Sequence, residues 1–249
     1  MAIYDKYNMT ANENIFVAKR NIVDYIYKSA RLEGLGVTFP DTEAIIKGGI
    51  IQGLSTSEVV AVNNLKHAWQ FVIEHIDYPT DYPLICEINR IVGANLFYGA
   101  GKVRNIPVSI GGTNWKPDIP FEMDIKEEIK DVLCIGNNTE RSITLMLRLM
   151  RRQMFIDGNK RTAMLVANHQ MMQNGAGIIS VPIEHIPEFT QRLINYYESD
   201  SIEDIQRFVF NVAIDGLDME KMRECQNPEN SFEEWKTKID KDKKMKKEN

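Results

Sequence analysis

Cysteine is scarce in this 249-residue chain: Cys86, Cys134 and Cys225 are odd in number, far apart and without a Cys-x-x-Cys pair. That spacing supports neither a disulfide framework nor a zinc site, so the three are read as ordinary reduced thiols. No apolar run reaches the roughly 18 to 20 residues that would cross a bilayer, and no membrane partner is expected. The opening residues lack the basic-then-apolar pattern of a secretory signal. Together these absences lead to the expectation of a soluble, cytoplasmic protein. Positive charge is not in excess either: the formal net charge is −5, which argues against a surface built for nucleic acid. The exception is the lysine-rich run at residues 236–247, whose plain reading is a solvated helix or frayed end. No internal repeat is visible, and the oligomeric state is left open, self-association included.

What is present is enough apolar residue, 43% of the chain, to bury a substantial core. Apolar positions recur at helical spacing over residues 15–32, 59–76, 84–96, 125–135, 139–154, 162–174, 186–197 and 202–213. Helix starts are expected at Asp41, Ser57, Thr139 and Ser201, and Gly175 is expected as a left-handed residue ending a helix. One segment, residues 102–110, has strand character: Val103, Ile106, Val108 and Ile110 are β-branched, residues 105–107 supply a bend and Gly111-Gly112 ends the second half. It is read as a small β-hairpin on a mainly α body, with an apolar-anchored loop as the alternative. Residues 178–181 are expected as a short extended link. The chain divides by this reading into an N-terminal helical segment (1–55), a core (56–215) and a helical, basic tail (216–249).

Between two apolar helical runs lies Phe-Ile-Asp-Gly-Asn-Lys-Arg, residues 155–161. Gly158 lets backbone approach an anion, Asn159 is a good helix cap, Lys160 and Arg161 bring positive charge, and the first-turn N–H groups add their dipole. The string is read as a phosphate-binding helix start, against the alternative of a tight helix–helix turn with incidental cations. Asp157 is placed to hold a divalent metal against the same phosphates, or simply to cap the helix. Phe155 is read as a core anchor, and Asn168 and His169 as packed residues of the following helix.

The same residues carry a resemblance to the Fic family, which includes the Doc toxins and whose core motif is His-Pro-Phe-x-Asp/Glu-Gly-Asn-Gly/Lys-Arg-x-x-Arg. Phe155, Asp157, Gly158, Asn159, Lys160 and Arg161 fit it; Gln153, Met154 and Met164 stand where the motif has His, Pro and Arg. The resemblance implies a helical bundle with a β-hairpin flap, ATP as substrate with Mg²⁺, and transfer of AMP to a hydroxyl of a target protein. It makes Gln153 and Arg161 the catalytic positions, Gly158 to Arg161 the nucleotide cradle and Asp157 the metal ligand. Lys102, Val103, Arg104, Ile106 and Val108 then belong to the flap that holds the target by strand addition. Ser29, Glu33 and Gly34 resemble the family's N-terminal inhibitory motif; with Met at 164, Glu33 is left to meet Lys160 or Arg161, or to be a plain helix-end carboxylate. Lys160 and Met164 tilt the transferred group toward phosphate, as in the Doc branch. An amide at 153 cannot serve as the family's base near neutral pH. This implies weak transfer at best, with two alternatives: a silent nucleotide- and partner-binding relative, or a hydrolase that removes AMP using Glu33. None of His67, His75, His169 and His185 adjoins the loop in sequence.

Overall fold

The computed structural model describes residues 2–49 and 51–218; Cys225 and the lysine-rich run lie outside the described residues. Within them the chain forms ten α-helices: α1 (Ala11–Arg20), α2 (Ile22–Leu32), α3 (Phe39–Ile46), α4 (Thr56–Glu74), α5 (Tyr82–Val92), α6 (Glu122–Leu133), α7 (Asn138–Arg152), α8 (Asn159–Gln173), α9 (Ile186–Ser199) and α10 (Glu203–Val212). The mainly α expectation is borne out. The helix expected over 15–32 is two helices, broken at Asn21. Early starts also shift: Thr38 caps α3 with Asp41 three residues inside, and Ser55 caps α4 with Glu58, each pair completing a capping box. Asn137, not Thr139, caps α7, and Ser201 lies one residue before the Ile202 that precedes α10.

The architecture is built around α8. Every residue of it from Arg161 to Met172 is buried, the pattern of a helix surrounded on all sides rather than laid on a surface. It packs against α7, α5, α4 and α1, so its first turn points out of the centre of the bundle at one end. Gly175 ends it at φ +63°, as expected, and a Cβ there would lie 1.6 Å from the Met9 carbonyl oxygen, so a larger residue is excluded by contact as well as by conformation. Asn168, on the far side of α8, exchanges two hydrogen bonds with Ile179 main chain. That fixes β1 (Ile178–Ile179), which pairs antiparallel with β2 (Ile214–Asp215).

The hairpin expected at residues 102–110 is corrected: these residues run as irregular extended chain, and the two short strands lie elsewhere. Pro107 has no N–H for a ladder, and the Arg104 main chain is already used, donating to Met154 O at 3.0 Å. The first residues form a strap. Asp5 accepts from Thr139 N at 2.8 Å, Tyr4 meets the Phe210 ring edge-on, Lys6 donates to Asn211 O, and Tyr25 donates to Asp215 at 2.6 Å. No described helix is long and apolar enough to cross a membrane. Cys86 and Cys134 are free thiols.

His169 is fully buried, with Nδ1 2.7 Å from the Thr80 hydroxyl and Nε2 3.1 Å from the His75 carbonyl. Burial lowers its pKa, so the unfolded chain binds the proton more readily than the fold does. Its stabilising contribution is therefore complete above about pH 6.5, the unfolded value, and is lost as pH falls through the depressed folded value. Tm measured from pH 7.5 to 5 is expected to fall along this window, and the His169→Gln variant, less stable at pH 7.5, is expected to show a shallower fall. Parallel curves for the two proteins would exclude His169 as the titrating group.

Candidate functional site

The loop between α7 and α8 is fixed by amide side chains. Gln153 ends α7 in the left-handed region, φ +47°, and turns the chain back toward the bundle. Its own amide is committed: Nε2 donates to Met150 O at 2.6 Å and Oε1 accepts from Asn159 Nδ2 at 3.1 Å. Asn159 was expected as the cap of α8; it is instead the first helical residue, and its side chain reaches back across the loop to bond both the N–H and the C=O of Phe155. Phe155, 1% exposed, anchors that loop in the core as expected. Gly158 is the true cap, at φ +76°, and a Cβ on it would lie 3.1 Å from Val92 Cγ1 and 3.2 Å from Asn89 Nδ2. The first main-chain bond of α8 runs from Thr162 N to Gly158 O, which leaves the N–H groups of Asn159, Lys160 and Arg161 without helical acceptors.

Charges converge on this end. Glu33, at the C-cap of α2, stands 3.7 Å from Lys160 Nζ and 3.6 Å from Arg161 Nε. Both contacts are ion pairs without hydrogen-bond geometry: Glu33 Oε1 and Arg161 Nε are buried and make no hydrogen bond. Of the two partners left open for Glu33, the structure brings both. Asp157 accepts from Gly158 N at 2.6 Å and lies 3.4 Å from Arg161 Nη2, with more than half its side chain exposed. Met164, in place of the motif's last Arg, is buried beside Leu32 and Trp69. Ser29 shares that apolar crevice, and Gly34, at φ +79°, turns the chain after α2.

Above the loop opens a cavity of about 340 Å³, lined by Glu33, Gln153, Asp157, Asn159 and Lys160 on one side. Val108 to Gly111 and the α9 residues Thr190, Leu193, Ile194 and Tyr197 form the other. Tyr197 is buried and hydrogen-bonds Gln153; burial first, and then the Glu33 charge, push its hydroxyl pKa up, so it stays protonated. Of the residues expected in the flap, Val108 lines the cavity, Lys102 and Ile106 face solvent, and Val103 packs on the core. Arg104 departs from expectation. It is 2% exposed and donates to the carbonyls of Gln153, Ile106, Pro117 and Asp118, stapling this segment to the Gln153 loop. Burial lowers its pKa, and Asp118 partly opposes that. Among the described residues no group of three or more His, Cys, Asp or Glu side chains could hold a metal. A lone carboxylate such as Asp157 suits Mg²⁺ only when phosphate oxygens complete the shell.

Sequence reasoning missed Asn89 and α9. Asn89, fully buried in α5, donates to Asp157 O and Thr162 Oγ1 at 3.0 Å and accepts from Gly101 N at 2.8 Å, joining the loop, α8 and the extended segment. The signal was available: it is a polar residue on the apolar stripe of Leu84, Ile85, Ile88 and Val92. For α9, nothing in its own sequence distinguishes a wall of the cavity from an ordinary packed face.

A sequence model described as Fic/DOC family matches residues 79–171, which include Asn89 and the whole loop. The chain carries a Fic/DOC family domain. Protein adenylyltransferase fic-1 from Caenorhabditis elegans is 27% identical over 212 residues, covering 74% of this chain and 41% of that protein. Its namesake from Caenorhabditis briggsae is 28% identical over 208 residues with the same shares, so the chain spans about two fifths of these curated relatives. Among solved structures, Fic-1 (residues 134–508) from C. elegans superposes with a TM-score of 0.64 at 26% identity, over 78% of this chain and 61% of that one. A Fic domain containing signaling protein from Bacteroides thetaiotaomicron gives 0.67 at 18% identity, over 81% and 84%, and shares the fold.

Gly158→Ala tests the turn before α8 directly. The left-handed φ and the two close contacts are expected to lower stability by about 1–3 kcal/mol in urea denaturation.

Proposed function

We propose that this Fic domain binds a nucleoside triphosphate with Mg²⁺ at Asp157 to Arg161 and transfers AMP, or in the Doc manner phosphate, to a hydroxyl of a target protein, weakly. The observation that carries this reading is the left-handed Gly158 turn, which presents three acceptor-less N–H groups, Lys160 and Arg161 beside a cavity of about 340 Å³. The names of the fic-1 relatives support adenylyl transfer as the reaction class. In that reaction the target hydroxyl oxygen attacks the α-phosphorus, the bond to pyrophosphate breaks, the hydroxyl proton passes to water, and charge builds on the oxygens that the N–H groups and Arg161 face. Mg²⁺, when bound at Asp157, neutralises phosphate charge.

Gln153 sets the weakness. Its amide has no free lone pair basic enough to take the hydroxyl proton, and both of its ends are engaged with Met150 and Asn159. Loss of a general base reduces rate by roughly 10²- to 10⁴-fold. The same geometry favours a second reading, a silent relative that binds nucleotide and holds a partner along residues 102–110. Glu33 restrains the site in either case, occupying Lys160 and Arg161 with a carboxylate where phosphate oxygens would sit.

Incubation with Mg²⁺, lysate and ATP labelled at the α- or γ-phosphate separates these readings. α-label on protein means adenylyl transfer, γ-label alone means phosphoryl transfer, and binding without label means the silent relative. Gln153→His is expected to raise labelling by about 10²-fold or more; histidine tolerates the left-handed backbone there better than most residues. No gain would count against a family-like placement of the loop. Glu33→Gln is expected to tighten nucleotide binding about tenfold by calorimetry, because the competing charge is removed while the helix end is kept. Unchanged affinity would show that Glu33 is a plain helix-end carboxylate.

A further inference from the structure

A second cavity, about 180 Å³, shares no lining residue with the first, and the proposed reaction does not use it. The last two turns of α7 bring Arg148, Arg151 and Arg152 to its wall, and Trp115 closes another side. The three guanidiniums are unequally satisfied. Arg152 is held by Glu128 through two contacts of 2.7 Å. Arg148 and Arg151 share one carboxylate, Asp200: Arg148 Nη1 is 3.1 Å from Oδ1 and Arg151 Nη1 is 3.4 Å from the same oxygen. Arg151 makes one hydrogen bond, to the Tyr197 carbonyl at 3.2 Å, and its Nε is buried with no acceptor. Its guanidinium lies 4.8 Å over the Trp115 ring, which orders it without using any of its N–H groups. Tyr196, 1% exposed and beneath Arg151, has a hydroxyl that also lacks a partner.

Two planar cations with surplus donors, turned toward one space and sharing a single oxygen, form an under-filled oxyanion site. Asp200 is a poor permanent occupant. It is half exposed and sits at the C-cap of α9 at φ +59°, at the end of an element rather than within one. With Asp200 in place, the three arginines are balanced by Asp118, Glu128 and Asp200; with it swung out, the cavity gains one net positive charge.

We propose that Arg148 and Arg151 form a binding site for a phosphoryl-sized oxyanion, separate from the nucleotide cradle, and that Asp200 is its displaceable internal plug. The anion takes the Arg148 and Arg151 donors that Asp200 occupies or leaves unused, and Asp200 moves to solvent. Free phosphate and a phosphorylated side chain share this chemistry.

The test is a titration of the full chain with inorganic phosphate against chloride at matched ionic strength, read by calorimetry and by tryptophan fluorescence, since Arg151 covers Trp115. Asp200→Asn is the informative variant. Asparagine is at home at a left-handed helix end, so the fold is kept while the competing charge is removed. Phosphate affinity is expected to tighten about fivefold or more in Asp200→Asn and to weaken about tenfold in Arg148→Gln and in Arg151→Met. Arg148 is over a third exposed on its side chain, so its variant stays informative if Arg151→Met is unstable. Lys160→Ala, which damages the nucleotide cradle, is expected to leave the fluorescence response unchanged, since Trp115 lies beside Arg151. A phosphoserine peptide titrated in parallel names the source, which is whichever of the two binds more tightly. Equal responses to phosphate and chloride, no tightening in Asp200→Asn, or loss of the fluorescence response in Lys160→Ala would each overturn the site.

Discussion

The start of α8 and the loop before it depend on one buried side-chain amide. Asn89 sits in an apolar helix yet satisfies the carbonyl of Asp157, the hydroxyl of Thr162 and the N–H of Gly101. An unpaired buried polar group costs about 1–3 kcal/mol, so each of these partners is held to Asn89 by the penalty of leaving it. The left-handed Gly158, the start of α8 and the entry to the extended segment are therefore set together. Asn159 repeats the device on the other face of the loop, bonding Phe155 on both sides. Both amides hold the loop rigidly, so the N–H groups of Asn159, Lys160 and Arg161 point in fixed directions.

Electrostatically the end is balanced rather than open. Glu33 arrives from the end of α2, far in sequence from both of its cations, and lies between them at ion-pair distance without hydrogen-bond geometry. A buried charge pair of this kind gives modest net stability, but it defines which anion the cations see when the cavity is empty. Gln153 adds the complementary constraint. It shapes the loop through its backbone and fixes Asn159 through its amide.

Much of this could be read in the sequence because it is local. The helix periods, the left-handed Gly175, the cation-bearing turn at Gly158 and the packed roles of Phe155, Asn168 and His169 all follow from neighbours within a few residues. Glu33 was placed near Lys160 and Arg161 only through a family resemblance, since no periodicity links residues so distant in sequence. The failures share one cause. Arg104 carries a charge and sits among β-branched residues, which reads as an exposed strand position, yet four backbone carbonyls from three segments enclose it. Tertiary partners consumed the hydrogen bonds that a hairpin would have needed. Asn159 likewise has the composition of a cap, but a carbonyl and an N–H behind it competed for its side chain.

The strap and the short sheet give the chain a closed circuit. Tyr4, Lys6 and Tyr25 take partners at residues 210, 211 and 215, while Met9 hydrogen-bonds Gly175. During synthesis the first helices leave the ribosome long before those partners exist. The amphipathic α2 must wait for about 190 residues of chain before Tyr25 meets Asp215. Closure of this circuit thus waits for residues 210–215, and a nascent chain stalled before them leaves Tyr4, Lys6 and Tyr25 without these partners.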